Sequence, residues 1–63
     1  MYGHPLLKYP IPLLPDTVVE HRWRPGIPLV IVSGPHRTEL HQETYIVRVE
    51  GREVRVVREN LRI

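Results

Sequence analysis

Two alternating runs, Tyr45-Ile46-Val47-Arg48-Val49 and Val54-Arg55-Val56, flank Glu50-Gly51 in the last third of the chain. Alternation at period two marks a strand with one face toward a core, and a two-residue connection ending in Gly marks a tight hairpin. Pairing across it sets Val49 opposite Arg52, Val47 opposite Val54 and Tyr45 opposite Val56. A slip of one residue would turn the apolar set to solvent, so the pattern selects a single register. That register also sets Arg48 opposite Glu53 on the outer face, an opposite-charge pair of a kind worth roughly 0.2–1 kcal/mol. Tyr45, Val47, Val54 and Val56 are thus the expected inner face. Ile46, Arg55 and Val57 remain on the outer face as a half-apolar patch.

The hairpin belongs to a chain of 63 residues with no Cys. A domain of about this length buries only about 60% of the surface its unfolded chain exposes, so its stability margin is thin. No disulfide or thiolate-bound metal can widen it. A partner surface and the seven prolines remain, the latter by lowering the entropy of the unfolded chain. Eight Arg and one Lys face seven acids, interleaved as in Arg48-Val-Glu50-Gly-Arg52-Glu53-Val-Arg55, which is a mixed surface rather than the clustered cationic face of a dedicated nucleic-acid binder. The Arg bias is compatible with a thermophilic source or a GC-rich genome. No apolar run reaches the roughly 20 residues of a membrane span, and the Pro-broken N-terminus lacks the apolar core of a signal peptide. The expected location is cytoplasmic, or the virion for a viral protein.

Residues 1–16 form a separate Pro-rich arm. Pro5, Pro10, Pro12 and Pro15 exclude a helix and bias Tyr9 to Pro15 toward polyproline II or isolated extended chain. Tyr9, Ile11, Leu13 and Leu14 make the arm too apolar for a solvated linker, so they are expected to dock, either across Leu29-Val-Ile-Val32 of the same chain or on another subunit. Thr17-Val-Val-Glu20 reads as a short strand, Pro25-Gly26 as a turn, Leu29 to Val32 as a buried strand, and Ser33-Gly34-Pro35 as its end. The polar stretch His36 to Glu43 reads as a long loop or part of a curled hairpin. Arg58-Glu59-Asn60 before Leu61-Arg62-Ile63 reads as a 3₁₀ turn leading to a last strand.

This order resembles the SH3-like barrel superfamily in its broad sense, which includes KOW, Tudor and retroviral-integrase C-terminal domains. The resemblance rests on Arg24-Pro25-Gly26 before Leu29-Val30-Ile31-Val32, on Tyr45 to Val57, and on Arg58-Glu59-Asn60-Leu61. It covers roughly Pro25 to Ile63. It implies an all-β fold, a small antiparallel barrel of four or five short strands over residues 17–63 behind the extended arm 1–16. The signalling SH3 domains match less well, because their aromatic-rich loop and paired tryptophans are missing.

Candidate chemistry is sparse. His4, His21, His36 and His41 lack the companions and spacing of a zinc site, so no metal or cofactor is expected. Ser33 and His36 could suggest a nucleophile and its base, but they span a Gly-Pro step in a domain too small for an ordinary substrate pocket. No small-molecule substrate is expected. Arg22, Trp23 and Arg24, with Arg37, Arg55 and Arg58, could grip a nucleic-acid backbone while Trp23 stacks on a base, as KOW- and integrase-type barrels do; alternatively Trp23 is a core aromatic. Pro12-Leu13-Leu14-Pro15 and Pro25-Gly26-Ile27-Pro28 have the spacing read by aromatic grooves. The leading expectation is a non-enzymatic protein-interaction module, a small subunit or accessory factor of a virion, phage-type, ribonucleoprotein or polymerase assembly. It would be anchored by Tyr9, Ile11, Leu13 and Leu14 and by the patch Ile46, Arg55 and Val57. Nucleic-acid binding is the alternative, and exposed strand edges make self-association plausible.

Overall fold

The computed structural model describes residues 11–63. They form strands β1 (Val18–His21), β2 (Arg24–Arg37), β3 (Glu43–Val49) and β4 (Arg52–Val57), a 3₁₀ turn (Arg58–Asn60) and β5 (Leu61–Arg62). All five strands lie in one antiparallel sheet of order β4-β3-β2-β1-β5. The domain is all-β.

The C-terminal hairpin has the expected register: Val49 faces Arg52, Arg48 faces Glu53, Val47 faces Val54 and Tyr45 faces Val56. Glu50 and Gly51 both take positive φ, 51° and 78°, the turn geometry whose twist matches that of the two strands.

β2 organises the rest. Val30 pairs with Val18 of β1 and with Arg48 of β3. The half before it is shared mainly with β1 and the half after it with β3. Bulges interrupt the strand on both sides of this point, and bulges are where a sheet bends and twists most sharply. Between the Val19–Leu29 and His21–Arg24 pairs, Glu20 alone faces Pro25, Gly26, Ile27 and Pro28. Pro25-Gly26 is therefore not the turn, as its composition suggested; the turn is Arg22-Trp23. The prolines lack N–H groups, so they belong where the ladder is already broken. Gly26 supplies a φ of 92°, and its N–H donates to Glu20 Oε2 at 3.2 Å.

A second irregularity corrects another expectation. Ser33-Gly34-Pro35 does not end the strand: β2 runs on to Arg37, with Ser33 paired to Ile46 and His36 to Thr44. Gly34 and Pro35 form the bulge between those pairs, facing only Tyr45. The stretch from His36 to Glu43 is consequently a hairpin, closed by a Thr38 N–H bond to the Gln42 carbonyl at 2.9 Å.

The core consists of Leu13, Val19, Leu29, Ile31, Tyr45, Val47 and Leu61, with Val49 and Val56 packed against it. Leu61 enters through β5, beside β1. Leu13 is only 6% exposed, and its N–H donates to the Tyr45 hydroxyl at 2.9 Å. Asp16 N–H donates to the Ile31 carbonyl and Ile31 N–H to the Thr17 carbonyl, at 2.8 and 2.9 Å. Residues 13–17 thus dock on β2 of their own chain, one of the two arrangements the arm allowed. Leu13 is a core residue and not the partner contact it was expected to be. Tyr9 lies outside the described residues.

Candidate binding site

The turn between β1 and β2 is held from several directions. Arg22 N–H donates to the Asn60 carbonyl at 2.8 Å, tying the turn to the 3₁₀ segment. Trp23 N–H donates to His21 Nδ1 at 3.1 Å, and the Arg22 guanidinium lies 4.7 Å from the centre of the Trp23 ring. These contacts fix the backbone while leaving the indole outside the core. Trp23 is 70% exposed, so it is not the core aromatic that its scarcity allowed. Among the described residues, Tyr45 alone has that place, at 1% exposure.

Beside Trp23 the curled sheet leaves a groove of about 180 Å³. One wall comes from the β1–β2 turn and the start of β2, through His21, Trp23, Arg24 and Ile27; the other comes from the β3–β4 hairpin, through Val49, Glu50, Val54 and Val56; Leu29 also lines it. The surface is mainly aliphatic and aromatic, with Arg24 and Glu50 as its charged groups.

The groove explains why the inner face of the hairpin is not uniformly core. Tyr45 and Val47 are buried, Val56 is half-buried and Val54 is 41% exposed. The alternation placed Val54 on the correct face, but that face extends past the packed core into the groove. Sequence reasoning missed Ile27, Val49, Val54 and Val56 as site residues. The available signal was an inner face longer than the short N-terminal part of β2 could cover.

The expected patch of Ile46, Arg55 and Val57 stays together, outside the groove. Ile46 and Arg55 face one another across β3 and β4, and Val57 faces Thr44. Arg55 is exposed, while Ile46 and Val57 are half-buried. Ile11 and Leu14 are exposed on either side of buried Leu13. Of the expected nucleic-acid contacts, Arg22, Trp23 and Arg24 cluster at the turn. Arg37 lies at the far end of β2, Arg55 on the outer face of β4, and Arg58 in the 3₁₀ turn, where it donates to the Leu61 carbonyl at 2.9 Å. These cations do not form one continuous stripe along a single element.

Ser33 Oγ and His36 Nε2 do meet, at 2.9 Å. They close the bulge at Gly34-Pro35, outside the groove. Among the described residues no hydrogen bond joins His36 to a carboxylate, so the orienting acid of a triad is missing there. Likewise among the described residues, no His, Asp or Glu group has the arrangement of a metal site, and no helix is long and apolar enough to cross a membrane. Comparison with protein-family models, curated proteins and solved structures returns no match to this chain.

Proposed function

We propose that this chain is a non-enzymatic protein-binding module, a small subunit or accessory factor that holds an extended apolar segment of a protein partner. The observation that carries this reading is Trp23, held open at the edge of an apolar groove. A buried Trp contributes among the largest apolar areas of any side chain, so one left in water is a strong candidate for contact area in a complex. At about 180 Å³ the groove falls below the few hundred Å³ of ordinary small-molecule sites. It matches one or two peptide side chains. Aromatic grooves of this kind accept polyproline II segments, whose ordering entropy is already low. The strand order β4-β3-β2-β1-β5, with a 3₁₀ turn ahead of β5, supports reading the chain as a relative of the SH3-like barrels.

Nucleic-acid binding is the second reading, favoured by the stacking of Arg22 on exposed Trp23. It is the weaker of the two because Glu20 and Glu50 flank the turn and groove, and Arg37, Arg55 and Arg58 lie at the far end of β2, on β4 and in the 3₁₀ turn.

One titration separates them. Trp23 is the only Trp in the chain, so its fluorescence reports this site alone. Peptides selected from a displayed random library are titrated into the protein, and single-stranded oligonucleotides are titrated in parallel. The protein-binding reading requires enrichment of apolar, Pro-containing peptides that shift Trp23 emission to the blue. Failure to enrich any peptide, together with oligonucleotide binding that weakens steeply with salt, would replace it with the nucleic-acid reading.

A further inference from the structure

β4 is the last strand of the sheet, and among the described residues no strand pairs with its outer edge. Such an edge presents unpaired N–H and C=O groups to any extended chain of suitable register. Its residues, Arg52-Glu53-Val54-Arg55-Val56-Val57, restrict which chain that can be. We infer that the edge of β4 pairs antiparallel with β4 of a second copy, with Val54 on the two-fold axis.

The register follows from charge. A two-fold axis perpendicular to the sheet keeps groove-side residues opposite groove-side residues. Centring on Glu53 would set two carboxylates directly opposite each other, and centring on Arg55 would do the same with two guanidinium groups. Like charges directly opposite destabilise a strand pair. Centring on Val54 sets Glu53 opposite Arg55 of the second copy and Arg55 opposite its Glu53. Exposed Val54 then meets its own counterpart, and the aliphatic stem of Arg52 lies across the second copy's Val56. This arrangement is self-complementary, as an isologous interface must be.

Two observations point to the same place. Arg55 is exposed and, among the described residues, has no ion pair, whereas its neighbour Glu53 pairs with Arg48 at 3.1 Å. In the dimer the outer face becomes a continuous ladder of alternating sign, Arg48–Glu53–Arg55, crossing the boundary between copies. Val54 is the apolar β4 residue of the groove side left most open, and it is the one brought to the axis. The dimer shares Val54 and Val56 with the groove but makes no use of Trp23, so a Trp23→Ala variant keeps the dimer mass whether or not peptide binding is lost.

Sedimentation equilibrium on the full chain tests the inference. The wild-type protein is expected at twice the 7.4 kDa chain mass, with dimerisation weakening as salt is raised. Arg55→Glu sets Glu opposite Glu53 across the axis, and Glu53→Arg sets Arg opposite Arg55. Each variant alone is expected to be monomeric, and equal amounts of the two mixed are expected to form a heterodimer, since the mixture restores both opposite-charge pairs. Recovery on mixing also shows that both variants are folded. A wild-type monomer up to millimolar concentration, a dimer that persists in either single variant, or a mixture that stays monomeric overturns the assignment.

Discussion

The Tyr45 hydroxyl accepts a 2.9 Å hydrogen bond from the backbone N–H of Leu13, joining β3 to the segment that precedes β1. Both residues are buried, so each group depends on the other for its partner. Tyr45→Phe keeps the ring and removes the acceptor, leaving a buried N–H unsatisfied at a cost of about 1–3 kcal/mol. Leu13→Ala also loses apolar packing and is expected to cost about 2–5 kcal/mol. Urea unfolding of both variants checks the order; a Leu13→Ala variant as stable as wild type would remove Leu13 from the core.

Gly34 lies against the same tyrosine. A Cβ there would stand 2.6 Å from Tyr45 Cδ2 and 3.0 Å from the Thr44 carbonyl oxygen, on a backbone with φ of 135°. Gly34→Ala therefore combines backbone strain with overpacking, each of order 1–3 kcal/mol. At Gly26, with φ of 92°, nothing lies within 4 Å of the added Cβ. Gly26→Ala carries the strain alone. The expected order of melting temperatures is wild type, Gly26→Ala, then Gly34→Ala, and equal losses at the two glycines would contradict the close approach of Gly34 to Tyr45.

The difference between those glycines also shows what could be read from the chain. The β3–β4 hairpin was legible residue by residue because its alternation and its turn are both local signals. Pro25-Gly26 and Ser33-Gly34-Pro35 resemble a turn and a strand end in sequence because the same residues serve turns and bulges. The choice depends on what lies across the sheet: Glu20 at the first site and Tyr45 at the second. Trp23 was ambiguous for a similar reason. Its burial depends on whether β3 and β4 close over the start of β2, and they leave the groove there instead.

The Arg48–Glu53 pair was legible from register alone and is present at 3.1 Å, with side chains 55% and 52% exposed. Exposure limits its worth. Arg48→Gln is expected to lower stability by less than about 1 kcal/mol. The difference from wild type should shrink when unfolding is repeated at high salt, because solvent-exposed charges are screened. A loss of several kcal/mol that persists in high salt would mean that Arg48 supports the sheet through something other than this pair.

Trp23 separates binding from stability. Its ring is held mainly by Arg22, an exposed cation–π contact worth roughly 0.5–1 kcal/mol, so Trp23→Ala should unfold within about 1 kcal/mol of wild type. In the free wild-type protein the indole should emit at the wavelength of a solvated Trp and be quenched readily by iodide. Affinity for a groove-binding peptide should fall far more than stability does, by about tenfold or more, since Trp anchors commonly cost over 1 kcal/mol when truncated. Val54→Ala trims the opposite wall and should weaken the same peptide by a smaller factor. If Trp23→Ala unfolds several kcal/mol earlier, the indole belongs to the fold; if it stays stable and binds the peptide as wild type does, the partner surface lies elsewhere on the sheet.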